Sequence, residues 1–173
     1  VFKATTEGEA AYCKASHYTS RLRAEAASSE AEAALARGAY TITGGLGGLG
    51  LCAAKMLVES GASGIELSSR SGRVGRLAIG AEKTARMRVV VCDVGDATDA
   101  LALLAFAAPT GVLHAAGVLH DMMLRSMASD DVHAVLAPKA LAASHVQTLV
   151  VRTPLQAFGL FSSVASTFGN IGQ

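Results

Sequence analysis

Cysteine is scarce in this sequence and neither sign of charge prevails, and each shortage excludes something. Cys13, Cys52 and Cys92 are odd in number, lie far apart and form no CxxC pair. Neither a disulfide framework nor a zinc site is therefore indicated, and a reducing cytoplasm is the expected compartment. The histidines share no metal spacing either, so no metal is expected. Fifteen Lys+Arg against fourteen Asp+Glu leave a net charge of +1. No basic block or aromatic-interleaved stripe is present to track a phosphodiester backbone, so nucleic acid is not an expected partner. The N-terminus has neither an initiator Met nor the apolar core of a signal peptide, which points to a non-secreted piece of a longer polypeptide. No formal charge occurs between Asp99 and Asp121, about the length of a bilayer span. Pro109-Thr110-Gly111 breaks that run, and His114 and Gly117 come after it, so it reads as a helix and a buried strand with no membrane span.

What remains is one α/β domain's worth of chain, 173 residues. Residues 1–38 are rich in Ala, Glu and Ser without strand alternation, and are expected to be linker or the tail of a preceding subdomain. From residue 39 to 173, short β-branched or apolar runs alternate with Ala/Leu-rich segments. That is the pattern of βαβ units and a doubly wound parallel sheet covered on both faces. Strands are expected at Ala39–Thr43, Gly64–Ser68, Arg88–Cys92, Gly111–His114 and Ala157–Ser162. Leu49–Ser60 is the clearest helix, stopped by Gly61. Gly75–Met87 and Asp96–Ala107 are weaker candidates, and Ser129–Leu149 predicts one long helix with Ser129 as N-cap and an interruption at Pro138.

The strongest local signal is Thr43-Gly44-Gly45-Leu46-Gly47-Gly48-Leu49-Gly50, directly after the first of these strands and at the mouth of its helix. It satisfies both GxGxxG (Gly45, Gly47, Gly50) and TGxxxGxG (Thr43, Gly44, Gly48, Gly50). Backbone without Cβ atoms can approach a pyrophosphate closely, and a helix N-terminus aims free N–H groups at it. A dinucleotide is the expected ligand. The next strand ends in Ser68-Ser69-Arg70-Ser71-Gly72-Arg73, where an acidic residue would favour NAD. A guanidinium and hydroxyls there suit a 2′-phosphate instead, so NADPH is the expected cofactor. Asp93, in Cys92-Asp93-Val94 at the end of the following strand, can accept from the adenine amino group or cap the next turn.

These motifs, together with His114-Ala115-Ala116-Gly117-Val118-Leu119-His120-Asp121 and Phe161-Ser162-Ser163-Val164-Ala165 through Gly172-Gln173, resemble a ketoreductase domain of a polyketide synthase over residues 39–173. Animal-type fatty acid synthase is a close alternative. The resemblance implies a Rossmann-like fold of the short-chain dehydrogenase/reductase superfamily, incomplete at its C-terminus. It implies NADPH-dependent reduction of a β-ketoacyl thioester on an acyl carrier protein, beside other domains of one megasynthase. The Cys92-Asp93-Val94 motif brings Asp93 and Val94 to the cofactor, and Ala115, Ala116 and Gly117 make room for its nicotinamide ribose.

The resemblance also implies that Ser163 hydrogen-bonds the substrate carbonyl and that Lys139, 24 residues before it, stabilises a tyrosinate electrostatically. That tyrosine falls in a Gly-Gln-x-x-Tyr context in the family, and Gln173 stands about three residues short of it; these residues alone are expected to be inactive. Asp121, in Leu119-His120-Asp121, matches a Leu-x-Asp triplet associated with substrate steering and a D-configured hydroxyl; its plainer role is a helix N-cap. His114 is expected to be mainly structural, and Met122, Met123 and Met127 to pack in the core or at its rim. A non-catalytic Rossmann-like subdomain of the same megasynthases is the remaining alternative, though such halves typically lose the glycine loop.

Overall fold

The computed structural model describes residues 11–14, 16–19, 37–73, 86–151 and 153–168. Within the stretch expected to lack strands, Ala11–Cys13 (β1) and Ser16–Tyr18 (β2) pair as a short antiparallel hairpin. Lys14 sits in its turn at φ 54°, the left-handed conformation such a tight reversal requires.

The main sheet is built from Ala39–Thr43 (β3), Gly64–Ser69 (β4), Arg86–Val91 (β5), Gly111–His114 (β6) and Ala157–Leu160 (β7). Its order is β5-β4-β3-β6-β7 and every pair is parallel. The chain runs outward from β3 in one direction and then crosses back to its other side at β6, which is a topological switch point. β5 begins two residues before the expected Arg88 because Arg86 already pairs with Gly64 and its N–H bonds the Ser63 carbonyl at 3.1 Å. β7 stops at Leu160 because its last ladder bond, from the Phe161 N–H, ends on His114 at the tip of β6. The expected Gly75–Met87 helix falls almost wholly outside the described residues, and its last two, Arg86 and Met87, belong to β5.

Period-two alternation gives the sheet two unlike faces. Tyr40, Ile42, Ile65 and Leu67 point to one face and bury against Ala53, Ala54, Leu57 and Val58 of Gly48–Glu59 (α1). The other face carries Thr41, Thr43, Glu66 and Ser68 at its centre, with Val112 packed on Val146 and Val150. It is covered by Ala97–Ala107 (α2) and by a helical run over 129–150. Asp96, expected as the first residue of this helix, is instead its N-cap, accepting from the Thr98 and Asp99 N–H groups at 2.8 and 3.1 Å; these bonds hold its carboxyl below the usual range.

The long run is Ser129–Leu136 (α3), a π turn at Ala137–Leu141, and Ala142–Val150 (α4). Pro138 lacks the N–H an α-helical turn would use there, and the ladder absorbs this by widening: the Ala142 N–H reaches back to the Ala137 carbonyl. The N-cap is Ala128 rather than Ser129. Asp131 makes the difference, because its Oδ2 accepts from the Ala128 N–H at 2.9 Å and closes the helix end from inside. Among the described residues no helix is long and apolar enough to cross a membrane.

Candidate cofactor and active site

Because the strands are parallel, the turns leaving β3, β4, β5, β6 and β7 gather at one edge of the sheet. The glycine loop leaves β3 there in a tight reversal. Gly44 has φ 66°, and a Cβ on it would lie 2.6 Å from the Cα of Ala116, so only glycine lets the loop touch the turn after β6. Gly45 and Gly50 press on each other as closely, seating α1 on the sheet. Gly48 opens α1, and nothing lies within 4 Å of where its Cβ would be. No side chain caps α1 and no acidic residue sits in its first turn, which leaves its N-terminal N–H groups for an anion.

Between these turns runs a cleft of about 650 Å³. Gly44, Leu46 and Gly47 line it from the loop; Ser69 and Arg70 from the end of β4; Asp93 and Val94 after β5; Ala115, Ala116 and Gly117 after β6. Ser68, Ser71, Arg73, Cys92, Val118 and Pro138 complete the wall. Nothing in the sequence distinguishes the apolar members of that set from core residues; Pro138 comes to it from the π turn. Ser68 Oγ is buried and has no hydrogen-bond partner among the described residues. Cys92 is buried, and the loss of solvent together with nearby carboxylates pushes its thiol up to about 11, which makes it floor rather than nucleophile.

Asp93 serves the local turn, its Oδ1 accepting from the Gly95 N–H at 3.0 Å, and lines the cleft as well. Gly45, Gly50 and Thr43 lie behind the wall, while Gly48 and Leu49 stand exposed at the start of α1. Lys139, in the π turn, does not line the cleft, but its stem lies behind a residue that does: its Cε is 3.2 Å from where a Cβ on Gly117 would be. Ser163 is exposed beyond β7, accepting from the Ala165 N–H at 3.1 Å, and does not line the cleft. Nor does Asp121. It caps neither of the next two helical segments, since Met123 precedes the short 3-10 turn Leu124–Ser126 and Ala128 precedes α3. Its neighbour His120 is tied down, with Nε2 3.0 Å from Asp131 Oδ1. The three methionines beside it, Met122, Met123 and Met127, are exposed and not core.

His114 is nearly buried, and both of its ring nitrogens are engaged. Nδ1 lies 2.6 Å from Thr43 Oγ1, and Nε2 lies 3.2 Å from the Lys139 carbonyl. Burial holds this imidazole below its ordinary pKa of 6.5. Among the described residues no cluster of three or more metal-ligating side chains occurs.

The KR domain family model matches residues 38–173. The chain belongs to the ketoreductase (KR) domain family. Polyketide synthase GfsA of Streptomyces halstedii is 39% identical over 145 residues, covering 79% of this chain and 2% of the relative. A 6-methylsalicylic acid synthase of Arthrobotrys oligospora is 38% identical over 158 residues, covering 80% of this chain and 9% of the relative. The ketoreductase therefore spans a small fraction of these proteins. Among solved structures it is similar to A-type ketoreductases from a modular polyketide synthase, with TM-score 0.77, 34% identity and coverage of 87% of this chain and 34% of that one. The first ketoreductase of the tylosin polyketide synthase gives TM-score 0.73 and 31% identity, covering 86% and 34%. An NAD⁺-bound xylitol dehydrogenase, 23% identical with TM-score 0.66 over 76% of this chain and 55% of its own, shares the fold. The KR domain thus has the Rossmann-like fold of the short-chain dehydrogenases/reductases.

Proposed function

We propose that residues 39–173 form the NADPH-binding part of a β-ketoacyl reductase within a polyketide synthase, with residues 1–38 as linker or tail of a preceding subdomain. Its substrate is a β-ketoacyl thioester on an acyl carrier protein, and its product the β-hydroxyacyl thioester. Its setting is the cytoplasm, beside other domains of the same megasynthase. The observation that carries this reading is the cleft at the switch point, where the glycine loop, Arg70 and the Ala-Ala-Gly turn converge and Lys139 stands against Gly117.

The fit to a phosphorylated dinucleotide rests on the chain's own groups. The uncapped start of α1 offers N–H donors to a pyrophosphate, and the open space over Gly48 leaves it room. Arg70 and Arg73, with the hydroxyls of Ser69 and Ser71, stand where a ribose 2′-phosphate would lie. Bound there, the cofactor supplies a hydride. Ser163 donates a hydrogen bond to the ketone oxygen, and Lys139 holds positive charge near the developing alkoxide and its proton donor. Tyr12, Tyr18 and Tyr40 all precede the glycine loop, none in the place of the family's proton donor, and residues 1–173 alone are expected to bind NADPH without turnover. Asp121 steers the substrate arm toward a D-configured alcohol.

The test uses the intact polypeptide that carries these residues, with a β-ketoacyl thioester and either NADPH or NADH. Turnover with NADPH is expected, and Arg70→Ala should weaken NADPH at least about tenfold while leaving NADH unchanged, as loss of a charge-assisted bond implies. No NADPH oxidation by the intact protein would overturn the assignment. Chiral analysis of the product decides the role of Asp121: a predominantly L-configured alcohol rejects it.

A further inference from the structure

His114 does not line the cleft, and it bonds two residues that flank it, Thr43 behind the glycine loop and Lys139 in the π turn. The Lys139 carbonyl can only accept, so the hydrogen of the 3.2 Å contact belongs to Nε2. Nδ1 then carries the lone pair, and Thr43 Oγ1–H donates to it across 2.6 Å. The two contacts thus select one neutral tautomer. At one end of this bridge is the last residue of β3, which opens the glycine loop. At the other is the π turn, whose widened ladder is the irregular part of an otherwise regular helix. Within the helix the Lys139 carbonyl accepts from the Ala142 N–H, three residues on and shared with the Ala137 carbonyl, so its ladder bond is not of standard register, and Nε2–H is a second donor from outside the helix. The side chain on that same residue is the ammonium stem that passes Gly117.

We propose that His114 is the positioning residue for Lys139, holding the carbonyl of the π turn through Nε2–H while Thr43 holds its other nitrogen, so that the lysine and the glycine loop keep one fixed spacing. The proposal rests on the reductase reading above, in which Lys139 acts on the proton donor. Neither ring nitrogen is available to substrate or cofactor, which separates this role from that of a proton donor or acceptor in the reaction itself.

The experiment is a set of variants in the intact polypeptide, assayed for kcat, KM and NADPH affinity. His114→Phe, which fills the space and keeps neither bond, should lower kcat about tenfold or more while KM and NADPH affinity stay within about threefold, the signature of a misdirected group rather than a lost binding contact. His114→Gln, with one donor and one acceptor at similar reach, should recover most of that loss. The deciding readout is non-additivity: in a Lys139→Ala background, His114→Phe should cost nothing further, because its effect passes through the lysine. A loss that adds in full to that of Lys139→Ala overturns the proposal, as does an unchanged kcat in His114→Phe. Should His114→Phe fail to fold, Thr43→Val takes its place in the same cycle, and ¹⁵N NMR of the wild-type imidazole reads the tautomer directly: Nε2–H is expected, and Nδ1–H overturns the bridge. Wild-type protein that oxidises no NADPH would defeat the reductase reading, whereas turnover indifferent to His114 defeats only the positioning role.

Discussion

The two faces of the central sheet are made of the same strands and do opposite things. Toward α1, Tyr40, Ile42, Ile65 and Leu67 meet an apolar helix face, and the face is held by filled volume. Toward α2 and α4, the register partners Thr41 and Glu66, then Thr43 and Ser68, form polar rows in the middle of the domain. Three of the four buried side-chain atoms without a partner among the described residues, Thr41 Oγ1, Glu66 Oε1 and Ser68 Oγ, lie in these rows. Removal from water pushes the Glu66 carboxyl above the usual range, opposed in part by Arg88. A fold that only had to be stable would fill both faces alike. This one carries buried polar groups on the face where His114 and Lys139 meet.

If that division is right, the greatest loss of stability should come from the apolar face. Leu67→Ala removes a fully buried side chain and should cost about 2 to 5 kcal/mol in urea denaturation. Next comes the glycine loop: Gly44→Ala forces a side chain into a positive φ and against Ala116. It should cost about 1 to 3 kcal/mol and abolish NADPH binding by fluorescence titration, whereas Gly48→Ala, in open space, should fold as the parent does.

The polar face predicts a pH dependence of definite sign. His114 has a folded pKa below its ordinary 6.5, so its contribution is complete above that value and is lost as pH falls from there through the lowered folded value. About 1.4 kcal/mol is at stake for each unit of that lowering. Denaturation under stepwise acidification should show a shallower slope below 6.5 for His114→Gln than for the parent. The smallest effect has the opposite direction: Thr41→Val replaces a buried, unpartnered hydroxyl by a methyl group and should leave stability unchanged or raise it by about 1 kcal/mol. A loss there as large as that of Leu67→Ala would erase the distinction between the faces.

The main sheet is legible in the sequence because its strands are short apolar runs and its ligand loop sits directly after one of them. All five of its strands lie where expected, with ends off by at most two residues, and α2 begins one residue after the expected Asp96. The β1–β2 hairpin is not legible, since three-residue strands carry too little alternation to read. Pro138 announces an interruption, but whether the helix kinks or widens depends on which carbonyls it faces. His114 reads as mainly structural in the sequence because its bond to Lys139 joins residues 25 apart across two elements. The Ala128 cap is hidden because Asp131 closes it from three residues inside the helix.

Thr43 and His114, bonded side chain to side chain, are 71 residues apart. Between them along the chain lie the glycine loop, β4 with Arg70, β5 with Asp93, and α2. The entropy of closing so long a loop opposes the β3–β6 pairing until much of the intervening chain has collapsed. A chain that forms the nearer β3–β4 pair first completes the cofactor cleft only in the step that closes the centre of the sheet. A ligand that spans it binds only the finished arrangement and draws the chain toward it by mass action.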